Sequence, residues 1–291
     1  MKGIILAGGS GSRLHPVTLT INKQLLPIYD KPMVYYPLST LMLGGIREIL
    51  IITTPQAEAA FRSLLGDGTD LGLSLSYAVQ DKPNGLAEAF IIGRDFIGDD
   101  QCALILGDNI FYGHGLPEHL QSAATRSEGG SIFAYQVADP RRYGVLALDA
   151  DGNISGVVEK PETPPSNWAV TGLYYFDKQV ADIAATIKPS PRGELEIVDV
   201  INDYLHKGAL EVEWLGRGYA WLDTGTHETM LQAAHYIETI ETRQGLKIAC
   251  LEEIAWRAGF IDFDKFSSLA SGYPESTYGR YLKNLAQTAV K

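Results

Sequence analysis

Between Lys2 and Ile28 the chain reads KGIILAGGSGSRLHPVTLTINKQLLPI. An apolar run from Gly3 to Ala7 feeds into Gly8, Gly9, Ser10, Gly11 and Ser12, then Arg13, with Lys23 further on. Glycines let backbone N–H groups approach a phosphate closely, and cations beyond them can neutralise its charge. The spacing excludes two common phosphate cradles. A dinucleotide-binding turn wants G-x-G-x-x-G, but Leu14 stands where the third glycine belongs and Pro16 interrupts the helix that must follow, which disfavours a dehydrogenase. A P-loop counted from Gly3 reaches Gly8 and then has Gly9 where lysine is required. What remains, G-G-x-G-x-R-L, is either a phosphate turn of another kind or a tight strand-to-loop turn with Arg13 in solvent.

Other chemistry-bearing residues stand at the ends of strand-like runs. Asp108 closes CALILGD and Asp223 closes YAWLD. A carboxylate there either caps the following loop or serves as a donor to a hard cation. Glu159-Lys160-Pro161 is either a working anion and cation or a solvated pair. In SPRGELEI, Arg192 precedes a helix expected to carry Glu194 and Glu196 in its first turn. No H-E-x-x-H, G-x-S-x-G or cysteine cluster occurs, and the six histidines lack metal-ligand spacing, so nothing points to zinc or serine hydrolysis.

The elements that must position these groups read as alternating strands and helices. Strands are expected at Gly3 to Ala7 and in REILIITT, LSLSYAVQ, CALILGD and SIFAYQV. Helices are expected in PMVYYPLSTLML, with Asp30 as a cap, in PQAEAAFRSLL and in LAEAFIIGRDF. That order implies an α/β fold, a Rossmann-like and mostly parallel sheet flanked by helices, with ligands at the carboxyl ends of its strands. Past Val137 the pattern changes to antiparallel strands around an Asp-Gly-Asn turn, a smaller second lobe. GELEIVDVINDYLHKG and HETMLQAAHYIETIETRQG read as helices, and short helices follow Leu251. The expected division is a nucleotide-binding part at about 1–137, a second part at about 138–240, and a helical interaction or regulatory segment at 241–291.

With 291 residues, 45% hydrophobic and 20% charged, the chain can bury a large core. A net charge of -11, from 24 Lys and Arg against 35 Asp and Glu, argues against nucleic acid or an anionic membrane as partner. No apolar run is long enough to span a bilayer, and Cys102 and Cys250 read as packing residues, so the protein is expected to be cytoplasmic.

LAGGSGSRLHPVT followed by KQLLPIYDKPMVYY resembles the sugar-phosphate nucleotidyltransferases, and the similarity continues through GDNIFYGH, YGVL, EKP, AVTGLYYFD, SPRGELEI and GRGYAWLDTGTH. Ser12 departs from the family's usual threonine but keeps a hydroxyl. The resemblance is strongest to members that join dTTP to glucose 1-phosphate and release pyrophosphate. It implies Mg²⁺ held by Asp108 and Asp223, a triphosphate gripped by Arg13 and Lys23, and a sugar phosphate positioned by Lys160. Nucleotide contacts would come from Leu6, Gly8, Gly9, Ser10, Gly11, Ser12 and Gln24, with the base read by Gln80 and Gly85. Sugar-phosphate contacts would come from Asn109, Tyr143, Gly144, Glu159, Val170, Tyr174 and Arg192. For Tyr143, Tyr174 and Trp221 a core role is an equal alternative. The resemblance also implies a homotetramer with a second nucleotide-sugar site for feedback by an end product such as dTDP-rhamnose. Arg217, Gly218, Cys250, Glu253, Ile254 and Arg257 would line it, although Glu253 and Arg257 can equally pair with each other. UTP or another sugar phosphate, and a non-catalytic nucleotide-sugar sensor, are the alternatives.

Overall fold

The computed structural model describes residues 1–9 and 11–289. The first half runs β1 (Lys2–Ala7), a small hairpin of β2 (Pro27–Ile28) and β3 (Lys31–Pro32), then α1 (Tyr35–Leu43) and β4 (Glu48–Thr53). It continues through α2 (Glu58–Leu65), β5 (Ser74–Val79), α3 (Glu88–Ile92), α4 (Arg94–Ile97), β6 (Cys102–Leu106), β7 (Asn109–Gly113) and α5 (Leu116–Ala124). Next come β8 (Gly130–Gln136), β9 (Gly144–Leu148), β10 (Ile154–Glu159), β11 (Trp168–Phe176), α6 (Val180–Thr186), α7 (Ile197–His206) and β12 (Leu210–Leu215). The chain closes with β13 (Tyr219–Asp223), α8 (His227–Gln244), α9 (Leu251–Arg257), α10 (Phe263–Gly272) and α11 (Thr277–Ala289).

Strands β5, β4, β1 and β6 lie side by side and parallel, with β1 flanked by β4 and β6. Connections leave β1 in opposite directions, so the crevice between the carboxyl ends of β1 and β6 is the topological switch point where such sheets bind ligands. The antiparallel strands extend this same sheet. Leu173–Phe176 of β11 pair with β6, while the start of β11 pairs with β9, so one strand joins the two halves. β8 lies along the other side of β11 and takes β12 as a parallel neighbour.

Alternation along the buried strands sends neighbouring side chains to opposite faces. Ile5, Ile51 and Ile105 pack with Leu38, Leu41 and Met42 of α1, whereas Ile4, Leu50 and Leu104 pack with Phe90, Val180 and Val200 on the other face. Leu251, Ala255, Phe266, Ala270 and Leu282 from α9, α10 and α11 belong to the α1-side cluster. The tail expected as an added segment is thus a wall of the main core, and the boundary expected at 240/241 falls inside α8. Cys102 and Cys250 are buried and unpaired, in line with packing roles. Among the described residues no helix is long and apolar enough to cross a membrane.

Asp30 does not cap α1. The helix begins at Tyr35, behind the β2–β3 hairpin, and Asp30 is instead drawn to two ammonium groups. Lys31 bonds Asp30 at 2.5 Å and Glu241 at 2.9 Å, Lys247 bonds Glu241 at 2.6 Å, and Lys247 also pairs with Asp30. The Lys31 and Glu241 side chains are each 2% exposed. Burial pushes the Asp30 carboxyl up, but Lys31 and Lys247 outweigh that and leave it below its ordinary value. Its contribution to stability is therefore present above the ordinary carboxylate value and lost as the pH falls through the lowered one. The ring ties the end of α8 to the hairpin that follows Lys23. Glu241→Gln, which leaves two buried ammoniums facing one carboxylate, is expected to destabilise the fold by about 3–5 kcal/mol in urea unfolding; a loss below about 1 kcal/mol would mean that the ring is solvated.

Candidate functional site

β1 delivers the backbone to a turn in which Gly11 takes φ +58°, a left-handed conformation that favours glycine. A 3₁₀ turn at Ser12–Leu14 follows and aims Arg13 into the switch-point crevice, a cleft of about 490 Å³. Lys23 is fixed by its neighbours: Asn22 donates to the Ala7 carbonyl at the end of β1 and accepts from the Gln24 N–H. The Lys23 ammonium, on a residue 8% exposed, meets the Asp108 carboxylate at 2.5 Å.

Asp108 and Asp223 are neighbours because β7 and β13 form an antiparallel pair in which Asn109 faces Asp223. Thr224 fastens the join, its N–H and hydroxyl both donating to the Asp108 carbonyl. Burial pushes the Asp108 carboxyl up, but the Lys23 charge and hydrogen bond outweigh this and hold it below its ordinary value. Asp223 goes the other way: burial, then repulsion from Asp108, raise it against the attraction of Lys23, Arg13 and Arg142. Gly225 leaves the space between Asp223 and Arg13 open, for a Cβ there would lie 3.3 Å from the Asp223 carboxylate and 3.4 Å from the Arg13 guanidinium. Two adjacent carboxylates, one destabilised by the other, fit a divalent cation bound by few protein oxygens and completed by phosphate and water, the usual habit of Mg²⁺.

Asn109, expected as a sugar-phosphate ligand, stands in the cleft wall with its carboxamide engaged by the protein. It donates to Asp108 Oδ1 at 2.9 Å and accepts from the Gly172 N–H at 3.1 Å and the Trp221 indole at 2.6 Å. It therefore positions Asp108, whose other oxygen belongs to Lys23. Gly172 must lack a side chain, since a Cβ would sit 2.6 Å from Asn109 Oδ1.

The opposite wall is the β9–β10 hairpin, where Gly144 pairs with Glu159. Glu159 Oε1 lies 2.8 Å from the Lys160 ammonium and 3.2 Å from Arg192. Lys160 has φ +42°, a strained conformation for a side-chain-bearing residue before proline, and its N–H donates to the Tyr143 carbonyl. The register of β11 shifts between Val170 and Tyr174, which frees backbone at 170–172 to face the cleft. Tyr143 packs on Trp221 with ring centroids 4.9 Å apart.

Leu6, Gly8, Gly9, Gly11, Ser12, Arg13, Lys23, Gln24, Gln80, Gly85, Asp108, Asn109, Tyr143, Gly144, Glu159, Lys160, Val170, Tyr174 and Asp223 all line this one cleft. Ser10 lies outside the described residues. Arg192 is not in the lining; it is half-exposed and bonded to Glu159 and Glu196, which are. Glu194 and Glu196 precede the helix that was expected to contain them: α7 starts at Ile197. Leu195 is strapped to the loop before α3, its N–H on Asn84 and its carbonyl accepting from Ala87, which keeps the preceding chain extended. Arg142 and Gly172 also line the cleft and were missed. Only Arg142 had a visible signal, the Arg141-Arg142 pair beside YGVL.

The residues expected to form a second site fall elsewhere. Arg217 and Gly218 occupy the turn between β12 and β13, whereas Cys250 to Arg257 belong to α9 and its cap. Arg257 pairs with Glu253 at 2.7 Å, the simpler of the two expected roles, and Cys250 is buried.

The family model described as nucleotidyl transferase matches residues 2–240. A glucose-1-phosphate thymidylyltransferase of Xanthomonas campestris pv. campestris is 57% identical over 286 residues, covering 98% of this chain and 97% of that protein. One of Mycolicibacterium smegmatis is 59% identical over 285 residues, covering 98% and 99%. Among solved structures, a Bacillus anthracis protein described as a glucose-1-phosphate thymidylyltransferase, in complex with sucrose, superposes with TM-score 0.75 at 41% identity, covering 81% of this chain and 94% of that one. A UDP-glucose pyrophosphorylase complexed with UDP-glucose superposes with TM-score 0.72 at 26% identity, covering 82% and 98%.

The geometry makes Asn109 the support of Asp108. Asn109→Ala is expected to weaken Mn²⁺ binding, followed by electron paramagnetic resonance, by about 10- to 100-fold; unchanged affinity in a folded variant would show that Asp108 needs no such support.

Proposed function

The chain belongs to the nucleotidyl transferase family, and on that premise we propose that it transfers a deoxythymidylyl group from dTTP to glucose 1-phosphate, giving dTDP-glucose and pyrophosphate. The observation that carries the reading is the juxtaposition, in one cleft, of the glycine turn with Arg13 and Lys23, the Asp108–Asp223 pair, and Glu159 with Lys160.

The nucleophile is already an anionic phosphate oxygen, so neither a general base nor a covalent intermediate is required. The oxygen of the sugar phosphate bonds to the α-phosphorus as the bond to the β-phosphate bridge breaks, and pyrophosphate leaves in line. The chain's task is to hold two polyanions together and offset their repulsion. Arg13 and Lys23 take the triphosphate, which draws Lys23 from Asp108. Lys160, with Arg192 behind it, takes the sugar phosphate and releases Glu159 to accept hydrogen bonds from sugar hydroxyls. Asp108 and Asp223 would hold Mg²⁺, which neutralises charge on the phosphate oxygens when bound.

The same reading places the product in deoxysugar synthesis of the dTDP-rhamnose type, in a cytoplasmic homotetramer with feedback through Arg217, Gly218, Cys250, Glu253, Ile254 and Arg257. Its support is the similarity to the relatives.

Pyrophosphate release from dTTP and glucose 1-phosphate is expected to require a divalent cation and to fall at least about 100-fold in Asp223→Asn. Lys160→Met is expected to raise KM for glucose 1-phosphate as well as to lower kcat. Tight dTTP binding without pyrophosphate release in the unaltered protein would overturn the reading in favour of a sensor.

A further inference from the structure

Gln80 directly follows β5 at the cleft, and its carboxamide has one available orientation. Its nitrogen donates to the Gly85 carbonyl at 3.3 Å and to Glu88 Oε2 at 2.7 Å, which uses both N–H groups. A flipped amide would turn its carbonyl oxygen toward two acceptors. Glu88 is itself held, since its other oxygen accepts from the Asn84 side chain at 2.8 Å. Gly85, at φ +111°, is locked by Leu195, whose backbone lies 2.4 Å from where a Cβ would stand. The carbonyl oxygen of Gln80 is left facing Gly8, 2.7 Å from the position of a Cβ there, and among the described residues no hydrogen bond reaches it. Gln80 is 6% exposed and lines the cleft, so that oxygen is free to accept a hydrogen bond from whatever fills it.

We propose that Glu88 is a specificity-determining residue: by fixing the Gln80 carboxamide it sets an acceptor alone against N3 of the base, which selects a pyrimidine carrying a proton there over cytosine. The inference rests on the nucleotidyl-transfer reading above and names how its base is chosen. Thymine and uracil offer N3–H to the Gln80 oxygen. Cytosine offers a lone pair at N3, which sets two acceptors facing each other, and its N4 amine reaches that oxygen only if the base shifts in the cleft. A site built to receive a hydrogen bond discriminates far more strongly than one that measures size. Glu88 touches neither substrate, and it lies one residue layer behind Gln80. What matters is its acceptor and not its charge, so glutamine at 88 can serve if its own carbonyl faces Gln80.

The test compares binding of dTTP and dCTP by calorimetry, with pyrophosphate-release kinetics and thermal melting alongside, in the unaltered protein, Glu88→Met, Glu88→Gln and Asn84→Ala. The unaltered protein is expected to favour dTTP by at least about 100-fold. In Glu88→Met that ratio falls at least about 10-fold, through weaker dTTP and tighter dCTP binding together, because the freed amide no longer holds its acceptor in place and also presents its N–H to cytosine. Glu88→Gln restores the ratio to within about 3-fold, and Asn84→Ala, an exposed change that only loosens Glu88, lowers it by less than Glu88→Met. An unchanged ratio in folded Glu88→Met, or a loss in Glu88→Gln as large as in Glu88→Met, overturns the proposal. If Glu88→Met does not fold, an unchanged ratio in Asn84→Ala overturns it. Absence of pyrophosphate release with any nucleotide, while the binding ratio shifts as stated, would sink the transfer reading and leave this one standing.

Discussion

Two carboxylates, Asp108 and Asp223, are held side by side at the end of a buried sheet, and their mutual repulsion is the constraint around which the rest is arranged. Without a substrate the repulsion is offset from within: Lys23 pairs with Asp108, while Arg13 and Arg142 act on Asp223 from further away. Each of these cations also suits a phosphate. On the proposed reading, a polyanion that draws these cations away leaves the carboxylates to a metal ion. The β9–β10 side of the cleft repeats the arrangement, with Glu159 between Lys160 and Arg192. The cations rest on the protein's own acids, and on the proposed reading they become available when ligands compete for them.

Holding charges so close requires rigid supports, and these come from distant parts of the chain. Asp108 is anchored through Asn109 to β11 and β13, and through Thr224 to the segment that leads into α8. Lys23 is anchored through Asn22 to β1, and the hairpin after it is anchored through the ring of Asp30, Lys31, Glu241 and Lys247 to the far end of α8. One helix therefore begins beside Asp223 and ends at the support of the lysine segment. This gives the tail a structural share in the site although α9, α10 and α11 lie on the α1 face of the sheet.

The sequence made the parallel half of the sheet legible because its strands are buried on both faces and read as unbroken apolar runs between glycine or proline signals, as in KGIILAGG and CALILGD. The glycine turn, the strand-end aspartates and Glu159-Lys160 were legible for a related reason: residues that must emerge at a strand's carboxyl end follow the apolar run immediately. What stayed hidden depends on partners far along the chain. Nothing near Asp30 announces Lys247, and nothing near Asn109 announces the Trp221 indole. The start of α7 was misplaced because Glu194 and Glu196 look like first-turn acids, whereas the strap between Leu195 and 84–87 holds that stretch extended.

Gln80 and Lys160 show two ways of fixing a recognition group at a chain segment that lacks regular structure. Gln80 is fixed by saturation: both of its N–H groups are occupied, so the one remaining polar atom defines what can bind. Lys160 is fixed by backbone strain, of order 1–3 kcal/mol for a non-glycine residue at positive φ, held in place by the Tyr143 carbonyl and by the proline that follows. Saturation selects a chemical pattern, here a donor, and suits the base. Strain sets the direction of a flexible ammonium and suits a phosphate, which asks for charge in the right place and little else. On the proposed reading, the division matches what each half of the cleft has to distinguish: among bases the hydrogen-bond pattern differs, whereas the phosphates of competing substrates are alike.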